Sequence, residues 1–462
     1  VESQLKSGED RSWAPEKLPW NSPVPLRPSS FLPLRAADAA FNVETDLGRI
    51  PSFYLPTRKL PAEELLYCDQ QTNLAHNTPR RAGSGRSGFY RGKYLKGCGR
   101  TPLALNWNDM DRNHATGHLF PSGAIREYLV SRYLEAKGAG ETIIGCEGLL
   151  LRPLAGELKD CAKVIYSAMA PGKAAPRPLP RIDELFQALT YKPAPFARIS
   201  NFVWFLDNAA TANGISSSFG FQEFFALFAQ LLCPPGSKSL KKDPLDLSPE
   251  EIVNLYYEML ERTLGHFGAF FRWGIDWGSY HNNFALDGRF LDLEVPQVFC
   301  GPFLGRLSLE RRERLSTGFT GSYTSVRFFV ACEHLWSMTE YLRARLRFLV
   351  EHRAFYSSGE GEFVRQFLRA LEKKVNPRTH WLYDKRKMIA RVETLIEEAL
   401  PLDAKQRKLV RGLLARNWEE VFRPPGRKGL TEKLRLVPVE PTRFEGPLLV
   451  SWYAPSFLAP DY

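Results

Sequence analysis

Trp277-Gly-Ser-Tyr-His-Asn-Asn-Phe-Ala-Leu-Asp-Gly-Arg-Phe-Leu-Asp-Leu-Glu294 is the stretch on which the reading of this chain turns. Its centre, Asp287-Gly288, is the dipeptide favoured in a two-residue type I′ hairpin turn, where both central residues take positive φ. Folding there pairs Leu286 with Arg289, Ala285 with Phe290, Phe284 with Leu291 and Asn283 with Asp292. Directly paired residues of antiparallel strands share a face, with Cβ atoms about 5 Å apart. That register sets an amide and a carboxylate side by side. Two hard oxygen donors on one rigid hairpin suit a Mg²⁺ that keeps its remaining positions for water and phosphate. A surface hairpin whose polar residues merely face water accounts for the same residues, so the rest of the chain must decide.

The chain has 462 residues, enough for two or three domains. An apolar share of 44%, with 31 Phe, 17 Tyr and 10 Trp, supports large buried cores and excludes a disordered protein. The formal charge of +11 favours acidic partners such as nucleotides. Its basic residues form no long arm and no aromatic-interleaved groove, so no nucleic-acid partner is expected. Seven cysteines without a CxxC pair predict neither a disulfide framework nor a zinc module, and favour a reducing, cytoplasmic interior. No apolar run reaches bilayer length and the opening Val1-Glu-Ser-Gln4 carries no signal-peptide core, so no membrane partner is expected.

Residues 1–62 read as an extended, Pro- and Trp-rich arm. Gly83-Ser-Gly85-Arg-Ser-Gly88 fits G-x-G-x-x-G, a glycine loop whose N–H groups can cradle phosphates. It runs into a strand over Phe89–Lys96 that ends on a lysine able to neutralise them. Arg80, Arg81, Arg86, Arg91 and Lys93 crowd the same region; a solvated basic hairpin is the alternative. Ser122 through Lys137 is a helix with Ser122 as N-cap, Gly138 as stop and an apolar stripe of Ile125, Tyr128, Leu129 and Leu134. Glu127 lies close to the buried face, where a carboxylate is costly unless paired. Lys96 is its natural partner, as in the strand-lysine to helix-glutamate pair of protein kinases. Kinases also hold the metals on ATP with an Asn and a later Asp. Ile143-Ile144 and Leu149-Leu150-Leu151 read as strands. The prolines of 170–197 mark a linker or insertion. An aromatic helix is expected near 221–232. Ser248-Pro-Glu-Glu251 is a capping box opening a core helix to about Trp273. Stripes at 327–350, 361–373, 384–400 and 403–421 are helical, with Asp403 as an N-cap, and 429–462 is a tail with short extended pieces.

The order of glycine loop, strand lysine, helix glutamate, capped helix, Asn and Asp resembles the kinase-like selenoprotein O family of protein AMP-transferases. Leu95-Lys-Gly-Cys-Gly-Arg-Thr-Pro102 looks like that family's LKGAGxTP strand, and Gly123-Ala-Ile-Arg-Glu-Tyr-Leu129 like its SSIREFL helix. Gly83-Ser-Gly-Arg86 is similar to its GDGR loop, and Leu255–Arg262 sits where the family has the helix before its catalytic loop. Asn283 and Asp292 keep the nine-residue spacing of its Asn and second Asp. The resemblance spans roughly residues 75–300. It implies an α+β, bilobal protein-kinase-like fold with a small β-rich N-lobe and a larger helical C-lobe. It implies ATP and Mg²⁺ as cofactors and transfer of AMP to protein hydroxyls. Lys96 and Glu127 would order the triphosphate together with Gly83, Gly85 and Arg86. Asn283 and Asp292 would hold Mg²⁺, and Arg198 looks like the first of two phosphate-touching arginines. The second falls near Trp204. The family's catalytic Asp falls at Asn282, and an amide accepts no proton; His281 is the candidate replacement base, because an imidazole titrates near neutrality. A histidine that merely packs the loop is the alternative, and the commoner role. The expected division is an arm over 1–62, an N-lobe over 63–169, a linker over 170–197, a helical C-lobe over 198–400, and a helix and tail over 401–462. An enzyme acting on a small molecule or peptide, and a nucleotide-binding pseudokinase, remain as alternatives.

Overall fold

The computed structural model describes residues 21–23, 44–45, 48–49, 67–70, 83–90, 93–97, 119–153, 181–193, 196–209, 221–234, 237, 240, 242–272, 275–276, 283–293, 297–298, 324–352, 358–399, 403–422, 436–442 and 450–455. It is a mixed structure with a small antiparallel sheet and mostly helical content. The described residues of 1–72, 81–128 and 145–196 form one compact unit, and those of 129–144 and 197–462 a second. No helix among the described residues is long and apolar enough to cross a membrane.

The strands of the sheet are β1 (Asn21–Pro23), β4 (Tyr67–Gln70), β5 (Gly83–Tyr90), β6 (Lys93–Lys96), β7 (Gly148–Pro153) and β8 (Phe186–Pro193). They lie in the order β1-β4-β5-β6-β8-β7, with every pairing antiparallel. Two short ribbons pair separately: β2 (Glu44–Thr45) with β3 (Gly48–Arg49), and β11 (Leu436–Thr442) with β12 (Val450–Pro455).

Three expectations for this unit fail. The glycine-rich stretch is no loop: Gly83, Gly85 and Arg86 lie within β5, which pairs with β4 and then with the lysine strand. Lacking side chains, glycines favour turns, but they do not forbid a ladder whose neighbours supply the hydrogen bonds. The expected single strand over 89–96 is therefore two strands of a hairpin, with Ser87 opposite Lys96. The expected linker is the largest miss. Residues 181–193 form a short helix, α2 (Arg181–Leu185), followed by β8, an inner strand between β6 and β7. Its only proline, Pro193, ends the strand, where a missing N–H does no harm. Gln187, Ala188, Leu189 and Thr190 are all buried, as an inner strand requires. The expected arm also contributes, since Asn21–Pro23 pairs with Tyr67–Asp69.

Helix α1 spans Pro121–Ala136. Ser122 is not its N-cap. Its backbone N–H and hydroxyl both donate to the Asp183 carboxylate, at 2.8 and 2.5 Å, so the first turn is satisfied from α2. Burial pushes the Asp183 carboxyl above its usual range, and the two Ser122 hydrogen bonds oppose that. At the other end Ala139 N–H donates to Leu134 C=O and Gly138 N–H to Glu135 C=O, the double bond of a Schellman stop. The buried face is also rotated from the expected one. Ala124, Glu127, Val130, Ser131 and Leu134 are buried, while Leu129 is 59% exposed.

The second unit is built on helices α3 (Ile199–Ala209), α4 (Phe221–Leu231), α5 (Pro249–Arg272), α6 (Thr324–His352), α7 (Ser358–Lys374), α8 (Lys385–Ala399) and α9 (Ala404–Phe422). The helical stripes read from the sequence match α4 to α9 closely, because 3.6-residue periodicity survives local irregularity better than turn signals do. Asp403 directly precedes the first residue of α9, as expected for a cap position. The capping box at α5 forms as read: Glu251 accepts from Ser248 N–H at 2.8 Å, and Glu251 N–H donates back to the Ser248 hydroxyl. Hydrogen bonds from Lys242 and Ser248 hold the Glu251 carboxyl down at about 2. Aromatic rings fill the core, with Phe202 stacked on Phe224 and Phe228 at 4.5 and 3.9 Å. Strands β9 (Ile275–Asp276) and β10 (Gln297–Val298) pair on either side of the hairpin stretch. Ile143 makes only an isolated bridge, to Phe290.

Candidate functional site

The first group of candidate residues lies in the sheet unit. Glu127 is fully buried, and so almost is the ammonium of Lys96, its side chain 8% exposed. A carboxylate here must be paired, as its place on α1 demanded. The partner read from the sequence stands 3.9 Å away, in ion-pair range but beyond hydrogen-bond reach. The tight contact is to a residue not singled out there: Lys192 Nζ lies 2.5 Å from Glu127 Oε1, with 2% of its side chain exposed. Thr190 donates to Glu127 Oε2 at 3.2 Å. The register explains the convergence. Lys96 is opposite Thr190, and Tyr94 is opposite Lys192, so Lys96 and Lys192 are diagonal neighbours on one sheet face.

Lys192 escaped notice because it sits among prolines. Thr190 and Lys192 alternate with Leu189 and Tyr191, a period-2 pattern that could have marked them as one face of a strand. Cys146 feels this cluster. Burial pushes its thiol up to about 11, Lys192 pulling down and Glu127 pushing up, so it stays protonated and is no nucleophile. Gly97, just after Lys96, sits at φ +92°, and a Cβ there would meet the Ala188 carbonyl oxygen at 2.4 Å, so only glycine fits. Lys93, expected in the phosphate-side crowd, pairs with Glu147 at 2.5 Å instead. Arg80, Arg81 and Arg91 lie outside the described residues.

The second group lies in the helical unit, on the stretch quoted first. The hairpin exists, but its register is shifted by one. Ala285 N–H donates to Arg289 C=O, Phe284 bridges Phe290, and Leu291 N–H donates to Asn283 C=O. Gly288 is at φ +84° and Gly288 N–H donates to Ala285 C=O, while Asp287 does not take positive φ. The loop is therefore three residues, closed by a glycine bulge, not the two-residue turn that Asp-Gly suggested. The reason lies in what holds Asp287. Its carboxylate accepts from Arg289 N–H and Nε, at 3.1 and 2.7 Å, and its C=O accepts from Arg262 at 2.9 Å.

A one-residue slip carries every side chain to the other face. Asn283 now faces Leu291, and Asp292 ought to point away from it. It does not: Asn283 Nδ2 donates to Asp292 Oδ2 at 3.2 Å. The cause is Asp292 itself, the one non-glycine residue among those described with a left-handed backbone, φ +61°. That conformation costs an L-residue about 1–2 kcal/mol, least for Asn and Asp, and it turns the carboxylate back toward the amide. The expected neighbours meet, by a different route from the expected one. Arg198 Nη1 lies 3.4 Å from Asn283 Oδ1, which joins a third candidate residue to the pair. His281 and Asn282 lie outside the described residues.

The hairpin is no surface feature. Phe284, Ala285, Leu286, Asp287, Phe290, Leu291 and Leu293 are buried. It is tied down by Leu286 N–H to Ala197 C=O, Phe290 N–H to Thr142 C=O, Ile144 N–H to Phe290 C=O, and by His266 Nδ1 with Gly288 C=O at 2.9 Å. Burial holds the His266 imidazole below its usual range. Among the described residues no three His, Cys, Asp or Glu converge as a metal cage. An amide and a carboxylate alone suit a cation that completes its shell with water and phosphate oxygens.

The chain matches no protein-family model and no curated protein.

Proposed function

We propose that this chain is an ATP- and Mg²⁺-dependent nucleotidyltransferase that passes AMP to a hydroxyl acceptor, on a protein or peptide, and that it has a bilobal kinase-like fold. The contact between Asn283 and Asp292 carries the reading. A buried hairpin holds these two side chains together at the expense of a strained Asp292 backbone, and strain of that kind is retained where a site needs it. Asn283 and Asp292 would hold Mg²⁺, which when bound neutralises phosphate charge. Arg198 would meet phosphate oxygens as a fork of N–H donors. In the other unit, Lys96 beside Glu127 is the cation that the family resemblance assigns to phosphate. Positioning and charge neutralisation account for most of the catalysis in phosphate chemistry, so the lack of a carboxylate base at Asn282 is compatible with turnover.

Incubating the protein with ATP labelled on the α-phosphate should transfer the label to a hydroxyl acceptor, and Asp292→Ala should stop the transfer. Movement of the γ-phosphate alone would replace the reading with kinase action. The amide at Asn282, where the resemblance expects a carboxylate, favours a second reading: a pseudokinase that binds nucleotide without turnover. In that case MgATP raises the melting temperature and no label moves.

A further inference from the structure

We propose that Arg198 competes with a divalent cation for the Asn283–Asp292 pair, holding the amide oxygen until phosphate draws its guanidinium away, so that the pair accepts its cation together with nucleotide and poorly without it. The ligand half of this assignment, a nucleoside triphosphate, rests on the function proposed above. The argument starts from donors and acceptors. A guanidinium only donates hydrogen bonds and a carboxylate only accepts them, so an amide between them must turn its oxygen to the first and its nitrogen to the second. That is the arrangement here: Arg198 Nη1 lies 3.4 Å from Asn283 Oδ1, and Asn283 Nδ2 donates to Asp292 Oδ2 at 3.2 Å. The amide thus relays the positive charge of Arg198 to the negative charge of Asp292.

A cation needs a different orientation. Mg²⁺ takes oxygen ligands, so Asn283 Oδ1 and a carboxylate oxygen of Asp292 would have to converge on one point. An N–H aimed at the carboxylate stands in the way. Turning the amide over would set its nitrogen against the guanidinium, two donors face to face. Arg198 and the cation are therefore rivals for one oxygen. Both contacts are long for hydrogen bonds, so neither alone locks the amide. The backbone of Arg198 is pinned, so the exchange is a motion of its side chain. Arg198 N–H donates to Asn201 Oδ1 at 2.7 Å, Arg198 C=O accepts from Asn201 N–H at 3.0 Å, and the adjoining Ala197 C=O accepts from Leu286 N–H at 2.7 Å. Phosphate offers the guanidinium a two-pronged, charged partner, stronger than one amide oxygen. Release of the amide and capture of phosphate are then one movement.

Cation and nucleotide binding, measured separately, test this. Mn²⁺ suits the same oxygen donors and reports the cation alone through its paramagnetic resonance signal; calorimetry reports MgATP. Arg198→Met removes the rival charge and should tighten Mn²⁺ about fivefold, the size of a modest coupling between two ligands. The same change should weaken MgATP about tenfold through the lost phosphate contact. Opposite signs mark a competitor. Arg198→Lys keeps a positive charge and should keep Mn²⁺ closer to the unmodified protein than Arg198→Met does. The tightening should vanish when Arg198→Met is combined with Asp292→Gly, which removes the carboxylate. Unaltered Mn²⁺ affinity with weakened MgATP would make Arg198 a phosphate contact only. Weakening of both would make it structural, and a tightening that survives Asp292→Gly would lie at another site. Each of these three results overturns the proposal. Urea unfolding checks that each variant folds, and Arg198→Gln takes the place of Arg198→Met should the latter not fold. If the unmodified protein binds no MgATP, the nucleotide reading fails, while the Mn²⁺ comparison still decides whether Arg198 competes for the pair.

Discussion

The Glu127 cluster and the 283–292 hairpin put polar side chains together by opposite means. The cluster is assembled from side chains: a helix carboxylate meets two strand lysines and a threonine, and their mutual charge is what keeps them buried. The hairpin is assembled from backbone: a shifted register, a glycine bulge and one left-handed aspartate bring Asn283 to Asp292 across 3.2 Å. In the first region, removing a side chain removes the scaffold itself. In the second, a side chain can be removed while the scaffold stands. Stability and chemistry should therefore be tightly linked at Glu127 and separable at Asp292.

The largest expected effect tests that contrast directly. Glu127→Ala strands two buried ammonium groups and should cost about 3–5 kcal/mol in urea unfolding. Asp292→Gly should be near neutral or slightly stabilising, because glycine takes φ +61° without the steric penalty. The same change should abolish the Mg²⁺-dependent part of nucleotide stabilisation, about 2.7 kcal/mol at a hundred times the dissociation constant. A large stability loss in Asp292→Gly would show that the carboxylate, not the backbone, builds the hairpin.

An intermediate effect is expected at the turn. Gly288→Ala must take φ +84° and places its Cβ 2.9 Å from Thr263 Oγ1, itself donating to Met259 C=O at 2.8 Å. The cost should be about 2 kcal/mol, measured by thermal unfolding, and it should be accompanied by loss of Mg²⁺ response as Asp292 shifts. An unaltered Mg²⁺ response would uncouple the turn from the pair.

The smallest effect is a slope with pH. His266 donates its Nδ1 proton to Gly288 C=O, and burial disfavours a second proton on the imidazole by more than that hydrogen bond favours it. Arg262 opposes protonation, while Asp287 and Glu141 favour it less strongly than burial opposes it. The folded value lies below the unfolded one, near 6.5, so the unfolded chain takes up the proton first as pH falls. The contribution is complete above the unfolded value and is lost as pH drops through it toward the folded value. Melting temperature followed downward from neutral pH should show the decline, and His266→Gln should flatten it.

The same contrast decides what could be read from the chain. Glu127 was legible because helical spacing placed a carboxylate near an apolar face, and burial follows from spacing. Its partner was not, because Lys192 lies on a strand set among prolines, one of which, Pro193, ends it. At the hairpin the residues were legible and the register was not. Asp-Gly announces a turn, but whether the loop has two residues or three depends on Arg289 within the hairpin and Arg262 on α5 both gripping Asp287. The long helices were read well because many residues vote on one period. The glycine stretch was misread because G-x-G-x-x-G specifies flexibility and not the loop that flexibility sometimes serves.

Residues 181–193 touch α1 twice, at Ser122 through Asp183 and at Glu127 through Lys192, and they also fill the gap between β6 and β7. A nascent chain released only as far as residue 180 has its glutamate helix but lacks the clamp at its start, a cation that neutralises it and the strand that joins β7 to the rest of the sheet. The unit cannot close as it leaves the ribosome in order; it must wait for this late segment.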